Sequence, residues 1–333
     1  MSKRNYSIDA CRFIAAIIVV LIHVSANVPE ASRDKSLVYQ FVQPFFEVSV
    51  PFFFSVSGFL LVKRKRAYIQ RYCLNVLSLF LAASLFYVVA DVVFLVIQHG
   101  QTGEALLALF AEWLNGKGWM SLFNGTWGQF HLWYLFALVC GTVLWTKLKE
   151  TKMTDELTLV ISLLIYVISS LIRQESEWLA AFLRYGGFIK ALAYLSIGAY
   201  VRQKSWPSFQ KGRLPYIALS VLAIYVSLVN RPLFFFADEI LLQIFIFSLL
   251  QWLNAHPGQP TYWAHLGEAS DGIYVLHIVW IRLLDALLAN WQLSHQMVSG
   301  YIIGMALICL LASYACYPTF QRYILNPLAS LFI

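Results

Sequence analysis

Long apolar stretches alternate with short polar segments along this chain from one end to the other. A helix that crosses a bilayer needs about 20 mostly apolar residues, and stretches of that kind recur throughout. The pattern predicts an all-α fold, a polytopic membrane helix bundle of about ten transmembrane helices in one domain over residues 1–333. The predicted spans are residues 8–27, 37–62, 72–98, 129–146, 155–172, 187–201, 214–230, 238–254, 270–289 and 297–317.

The composition favours a membrane protein over a soluble one. Of 333 residues, 60% are apolar and 12% are charged, and that charged share is about half of what a soluble domain carries. The five cysteines lie in apolar stretches without Cys-x-x-Cys spacing. We therefore expect buried small side chains instead of a disulfide framework or a zinc site. No set of His, Cys and carboxylate residues has convincing ligand spacing, so we expect no metal.

The first apolar stretch follows Met-Ser-Lys-Arg and carries Asp9, Arg12 and His23. It lacks the small-residue cleavage site that a signal peptide would have. We therefore expect a first helix that is retained in the membrane.

Basic residues are distributed unevenly between the two ends of the predicted spans. If both termini are cytoplasmic, fifteen Lys and Arg residues lie on the cytoplasmic side and six on the other. Cytoplasmic loops of membrane proteins carry an excess of Lys and Arg, so we expect cytoplasmic termini. The net charge of +7 is then explained by short loops that face anionic lipid, without a nucleic-acid partner.

A few ionisable residues lie inside the predicted spans. Such a residue costs at least about 2.5–3.5 kcal/mol at bilayer depth, so those that remain usually line the bundle interior and have a function. Arg12 and His23 are about 16 Å apart along one helix face, and His23, Glu47 and His131 each lie about 24 Å from the cytoplasmic end of their spans. If these spans are neighbours, Glu47 can orient His23 so that its imidazole accepts a proton from an alcohol. Each histidine is also explained as a packing residue, and Glu47 as an interface residue.

The run Lys63-Arg64-Lys65-Arg66 follows the second span. The guanidinium groups of Arg64 and Arg66 can hold the phosphate oxygens of a nucleotide-bearing acyl donor such as coenzyme A. Basic runs beside a span are also common anchors on anionic lipid. The run alone does not separate these two interpretations.

Three further motifs place polar residues in or near predicted spans. These are the segment 50–59 with Ser57, the start of the fourth span with His131 and Trp133, and the start of the ninth with Tyr274 and His277. His277 is about 10 Å from the cytoplasmic end of its span, so we expect it near the level of Arg12. These residues can bind donor or acceptor, or can serve only in packing and capping. No Gly-x-Ser-x-Gly motif occurs, so a serine triad is not indicated.

Taken in order, these motifs resemble those of the acyltransferase family 3 membrane proteins. The likeness rests on the Arg-x10-His spacing of the first helix, on Pro-Phe-Phe-Phe-x-x-Ser-Gly-Phe, on the Arg-x-Arg pair, on His-Leu-Trp-Tyr-Leu and on a late Ser-x-x-x-Tyr-x-x-His. It extends over essentially the whole chain. The first helix departs from the family pattern, because Cys11 and Phe13-Ile14 surround the arginine where a Leu and a Gly-Ile are common.

The resemblance implies transfer of an acyl group, usually acetyl from cytoplasmic acetyl-CoA, to a hydroxyl of a surface polysaccharide or its lipid-linked precursor. It implies a multi-pass protein of the bacterial inner membrane in a stand-alone form, similar to O-antigen O-acetyltransferases. Acetyl-CoA, the glycan acceptor and membrane lipid would be its partners, with no permanently bound cofactor and a homo-oligomer left open. The expected catalytic residues are His23, as general base or acyl carrier, and Glu47. The expected donor-binding residues are Arg12, Arg64, Arg66, Tyr274 and His277, and the expected acceptor-binding residues are Ser57, His131 and Trp133.

A transporter or flippase for a lipid-linked or acyl-bearing molecule is the alternative, because substrate pathways also use intramembrane Arg, His, Glu and Lys190. Against it, we find no internal repeat of the kind that many transporters show. A polyprenyl-phosphate sugar transferase would show acidic metal-binding pairs near a membrane face, and the sequence has no convincing pair. Dependence on coenzyme A separates the first two classes, because a transporter needs no thioester.

Overall fold

The computed structural model of the protein describes residues 4–99, 103, 107, 111, 121, 124–172, 187–204, 212–228, 235–288 and 297–330. None of these described residues lies in a β-strand, and most lie in helices, which confirms the all-α prediction. In chain order the α-helices are α1 (Tyr6–Ala26), α2 (Glu30–Arg33), α3 (Leu37–Val42), α4 (Phe46–Leu61), α5 (Arg66–His99), α6 (Trp133–Glu150), α7 (Asp155–Ile172), α8 (Phe188–Gln203), α9 (Leu214–Leu228), α10 (Phe235–Ala255), α11 (Tyr262–Glu268), α12 (Ser270–Leu287), α13 (Val298–Phe320) and α14 (Asn326–Ala329).

Several helices are long and apolar enough to cross a membrane. Within the described ranges these are Tyr6–Ala26, Leu37–Leu61, Arg66–Val96, Phe130–Glu150 and Val298–Ala329, and each overlaps a predicted span. Leu214–Ser227 and Glu239–Ala255 are shorter apolar helices. The chain is therefore a helical membrane protein, while the count of ten spans and the cytoplasmic termini stay predictions.

The second predicted span, residues 37–62, is interrupted near its start. α3 ends at Val42, a 3-10 segment follows at Gln43–Phe45, and α4 begins at Phe46. Pro44 lies in the 3-10 segment. Proline has no N–H to continue an α-helical ladder, so it favours the interruption at this point.

The chain divides into two compact units. Unit 1 comprises Met1–Val62 and Ile197–Pro318, and unit 2 comprises Lys63–Ser196 and Thr319–Ile333. Each unit therefore combines segments that are distant in the sequence. The single domain over residues 1–333 stays a prediction.

In unit 1, α1 packs against α4, α11 and α12. α1 begins at Tyr6 because the Asn5 side chain accepts a hydrogen bond from the Ile8 backbone N–H at 3.0 Å, which satisfies a donor that the first helical turn leaves unpaired. The Asn5 amide also donates to the Leu253 carbonyl oxygen at 2.7 Å. This second bond ties the start of α1 to the end of α10.

In unit 2, α5 packs against α6, and the segments Gln321–Leu325 and Asn326–Ala329 pack against α5. The Ser196 hydroxyl of α8 donates to the Ser162 hydroxyl oxygen of α7 at 2.9 Å. Both side chains are buried. Such bonds between helices satisfy hydroxyl groups where water is absent.

Candidate active site

His23 of α1 faces His277 of α12 within unit 1. The centroids of the two imidazole rings are 5.0 Å apart, and the ring planes meet at 44°. His277 is fully buried, and His23 is half-buried. The structure thus brings together two titratable rings that are far apart in the chain.

Backbone carbonyl groups fix the orientation of His277. Its Nδ1 lies 3.1 Å from the carbonyl oxygen of Ile273 and 2.8 Å from that of Tyr274. A carbonyl oxygen only accepts hydrogen bonds, so Nδ1 is the donor and carries the proton. In the neutral ring the lone pair is then on Nε2, which can accept a hydrogen bond.

His277 lies at the level of His23 and not at the level of Arg12. The residue of α12 that reaches Arg12 is Asp271, whose Oδ1 lies 3.2 Å from Arg12 Nη2. The predicted level of His277 is wrong because it assumed that α12 and α1 start at the same depth. The start of α12 instead lies beside Arg12, almost two helical turns after the start of α1. His277 is thereby moved towards the other end of α1.

Polar residues pair along the whole contact between α1 and α12. The Asn27 amide donates to Asp285 Oδ2 at 2.6 Å, which adds a third pair to the two already described. Residue numbers rise together on both helices, so α1 and α12 run in the same direction. We call these six residues the polar seam, namely Arg12, His23, Asn27, Asp271, His277 and Asp285.

A cluster of charged groups surrounds Arg12. Arg12 Nη1 lies 3.7 Å from Asp9 Oδ1, and Arg4 Nε donates to Asp9 Oδ2 at 2.7 Å. Arg4 Nη2 also pairs with Glu268 Oε1 at 2.5 Å. Hydrogen bonds to Asp9 and Glu268 raise the pKa of Arg4, and the hydrogen bond from Arg4 lowers the pKa of Glu268. With Asp271, three carboxylates share two guanidinium groups in this cluster.

A close approach of α11 to α1 holds the cluster together. A Cβ atom at Gly267 would overlap the backbone carbonyl oxygen of Asp9. Only glycine permits this separation of the two backbones. The position of Asp9, and with it the ion pairs to both arginines, therefore depends on Gly267.

The remaining predicted residues of unit 1 are Glu47, Ser57 and Tyr274. Glu47 is exposed in the first turn of α4. The Ser57 hydroxyl donates to the Phe53 carbonyl oxygen of the same helix at 3.0 Å, as a packing role would require. Tyr274 is buried with its ring centroid 6.2 Å from that of His277. Their catalytic, acceptor-binding and donor-binding roles stay predictions.

In unit 2, Arg64 and Arg66 are both exposed at the start of α5. The Arg64 guanidinium stacks over the Tyr68 ring, 4.8 Å from its centroid. Arg66 Nη1 pairs with Glu150 Oε1 of α6 at 2.8 Å. Both guanidinium groups are therefore accessible, and their role in donor binding stays a prediction.

His131 is buried in the 3-10 segment Phe130–Leu132 of unit 2. Its ring meets the ring of Tyr87 edge to face, with centroids 5.2 Å apart. Three residues earlier, Gly128 has a φ of +86°, and a Cβ there would lie 2.7 Å from the Ser84 Cα of α5. This glycine lets the chain approach α5 before it enters α6 at Trp133. The acceptor role of His131 and Trp133 stays a prediction.

Asn27, Asp271 and Asp285 are members of the polar seam that sequence reasoning did not assign to the site. Asp285 carried a usable signal, because it is an acidic residue inside the predicted span 270–289. Asp271 occurs in the motif with Tyr274, but its spacing along the chain does not reveal its pairing with Arg12. Among the described residues, no group of three or more His, Cys, Asp and Glu side chains could hold a metal ion.

The fold and the polar seam define a helical membrane protein with a histidine pair between two of its helices. Residues 5–317 match the acyltransferase domain of acyltransferase family 3, and the chain belongs to that family. An amino-acid racemase from Enterococcus faecalis is 29% identical to this chain over 169 residues. The similar segment is 50% of this chain and 22% of the racemase, so the chain spans less than a quarter of that relative. No solved structure matches the chain.

Proposed function

We propose that this protein is a membrane-bound O-acetyltransferase of the bacterial inner membrane. It transfers acetyl from cytoplasmic acetyl-CoA to a hydroxyl of a surface polysaccharide or its lipid-linked precursor. The observation that carries the proposal is the pair His23 and His277, whose ring centroids are 5.0 Å apart in a chain that belongs to acyltransferase family 3. An imidazole with a free lone pair is the group most often used to take a proton from a hydroxyl at neutral pH.

In the proposed reaction, His23 is the general base. It takes the proton of the acceptor hydroxyl as the hydroxyl oxygen attacks the thioester carbonyl carbon. A new ester C–O bond forms, the C–S bond breaks, and coenzyme A leaves as the thiolate. The proton on His23 then passes to that thiolate, which restores the neutral imidazole and releases free coenzyme A thiol.

His277 is proposed as the residue that positions His23. Its Nδ1 donates to two carbonyl oxygens, so in the neutral ring its Nε2 carries the lone pair and is an acceptor. A hydrogen bond from one ring nitrogen of His23 to that acceptor would leave the lone pair on the other nitrogen of His23 for the acceptor hydroxyl. Glu47, the orienting residue expected from the sequence, is exposed at the first turn of α4 and is the competing candidate for this role.

Arg64 and Arg66 are proposed to bind the phosphates of acetyl-CoA. Both are exposed, and guanidinium groups offer paired donors to phosphate oxygens. Arg12 is less suited to this task, because Asp9 and Asp271 already lie within 3.7 Å and 3.2 Å of its nitrogens. Carboxylates this close would repel a phosphate.

The test is release of free thiol from acetyl-CoA by the purified protein in nanodiscs, with a crude lipid-linked glycan fraction as acceptor. We expect His23→Ala to abolish turnover while binding of acetyl-CoA is retained. The matched control is His265→Ala, since His265 is an exposed histidine on α11 with 65% of its side chain accessible. Control turnover should equal that of the wild type.

Two outcomes would contradict the proposal. Unchanged turnover in His23→Ala would exclude His23 as the base. If a folded wild-type protein neither binds acetyl-CoA nor releases thiol from it, the transporter or flippase is favoured, since such a protein needs no thioester.

A further inference from the structure

A cavity of about 530 Å³ lies at the end of the polar seam that is farther from Arg12. Its volume is within the range of about 300–1,000 Å³ that is usual for small-molecule sites. Polar groups of the lining come from Asn27, Ser32, Asp285 and Tyr301. All of these residues belong to unit 1.

Asp285 is the centre of the polar lining. Asn27 Nδ2 donates to its Oδ2 at 2.6 Å, and the Tyr301 hydroxyl donates to its Oδ1 at 2.9 Å. Each oxygen of an ionised carboxylate accepts about two hydrogen bonds. These two bonds therefore hold the carboxylate in place and leave acceptor capacity on both oxygens for a ligand that carries donors.

We propose that this cavity binds a neutral, hydroxyl-rich ring, the sugar unit of the acceptor. A sugar hydroxyl donates to Asp285, and the Ser32 hydroxyl and the side-chain amide oxygen of Asn27 add further polar contacts. The aliphatic surfaces of Pro29 and Leu288 on the same lining suit the C–H face of a sugar ring. A ligand with a negative charge is disfavoured, because it would lie against the Asp285 carboxylate.

The position of the cavity connects it to the proposed reaction, and this part of the inference rests on the proposed function. Asn27 caps the end of α1 and follows His23 by four residues, which is about one turn and about 6 Å along the same helix face. A ring held by Asp285 and Asn27 therefore lies beside His23. One of its other hydroxyls can then face the imidazole that takes up the proton.

The binding test uses five neutral probes, the methyl glycosides of glucose, galactose, mannose, rhamnose and N-acetylglucosamine, with methyl glucuronide as the anionic counterpart. Binding to the full-length protein in nanodiscs is measured by saturation-transfer NMR. We expect at least one neutral glycoside to bind, methyl glucuronide to bind more weakly than methyl glucoside, and Asp285→Asn to weaken the neutral probe at least tenfold. The matched control is Glu30→Gln, which removes an exposed carboxylate from the neighbouring helix α2 and should leave binding unchanged.

A second variant covers the case in which Asp285→Asn does not fold. Ser32→Trp should fill the cavity from the short helix α2 and abolish probe binding, while binding of acetyl-CoA is unchanged. Equal probe binding in the wild type and both variants would overturn the proposal, and so would a folded wild type that binds none of the five neutral glycosides. Probe binding that depends on Asp285, in a protein that releases no thiol from acetyl-CoA, would keep the sugar site and refute the acetyltransferase.

Discussion

Replacing Arg66 by alanine removes an exposed guanidinium group that the structure pairs with Glu150. The two side chains are 62% and 36% accessible, and Nη1 lies 2.8 Å from Oε1. An exposed ion pair contributes about 0.2–1 kcal/mol, so its loss alone should lower the free energy of unfolding by no more than about 1 kcal/mol. A hydrogen bond from a guanidinium to a donor phosphate contributes about 1.5–3 kcal/mol. Arg66→Ala should therefore weaken the binding of coenzyme A by about 10- to 150-fold.

The matched control is Glu150→Gln. It breaks the same ion pair but leaves Arg66 in place, and it also removes the carboxylate that pairs with Lys147 at 3.2 Å. With this competing negative charge gone, binding of coenzyme A should be unchanged or a few-fold tighter. The measurement is the Kd of coenzyme A by calorimetry with the protein in nanodiscs, together with the Tm of each variant.

Arg66→Ala is expected to weaken the binding of coenzyme A and Glu150→Gln is not, while their Tm values stay similar. If Glu150→Gln weakens binding as much as Arg66→Ala does, the ion pair supports the local structure and Arg66 does not contact the donor. If Arg66→Ala leaves the Kd unchanged, the phosphate-binding role of this residue is refuted.

Three further predictions concern other parts of the structure. His277→Leu should lower kcat at least tenfold with the KM for acetyl-CoA unchanged. His277→Gln should recover part of that loss, because the glutamine amide oxygen can accept a hydrogen bond. Equal kcat values in the two variants would contradict a positioning role. Gly128→Ala should lower the free energy of unfolding by about 1–3 kcal/mol, because a side chain at a φ of +86° against the α5 backbone is strained. The control Gly300→Ala should be neutral or stabilising, since there is open space around the Cβ position. Equal Tm values of the two variants would refute this account. Arg4 lowers the pKa of Glu268, so the ionised carboxylate stabilises the folded state above the ordinary pKa of about 4.3, and this contribution is lost as the pH falls through the lowered pKa. The Tm difference between the wild type and Glu268→Gln should therefore be present near pH 7 and vanish in acid. A Tm difference that is independent of pH would contradict this account.

The sequence by itself determined the class of fold and pointed to Arg12 and His23 as ionisable residues of a membrane helix. Apolar runs of spanning length predict membrane helices because each residue of such a run must be accommodated by lipid or by other helices wherever the run lies. The spacing of Arg12 and His23 is likewise local, since one helix places both side chains. The basic run with Arg64 and Arg66 was recognisable because it directly follows a span. All of these features can be recognised without knowing which helices are neighbours.

Only the tertiary structure decided how α1 and α12 are aligned. Local patterns do not specify where one helix begins along another, so the sequence placed His277 near Arg12, and packing placed it beside His23. The pairs that Asp271 and Asp285 make depend on the same alignment. Each joins residues that are distant in the chain, and a carboxylate beside a membrane helix is stabilised where a donor lies opposite. The position of that donor is a property of packed helices and not of either helix alone.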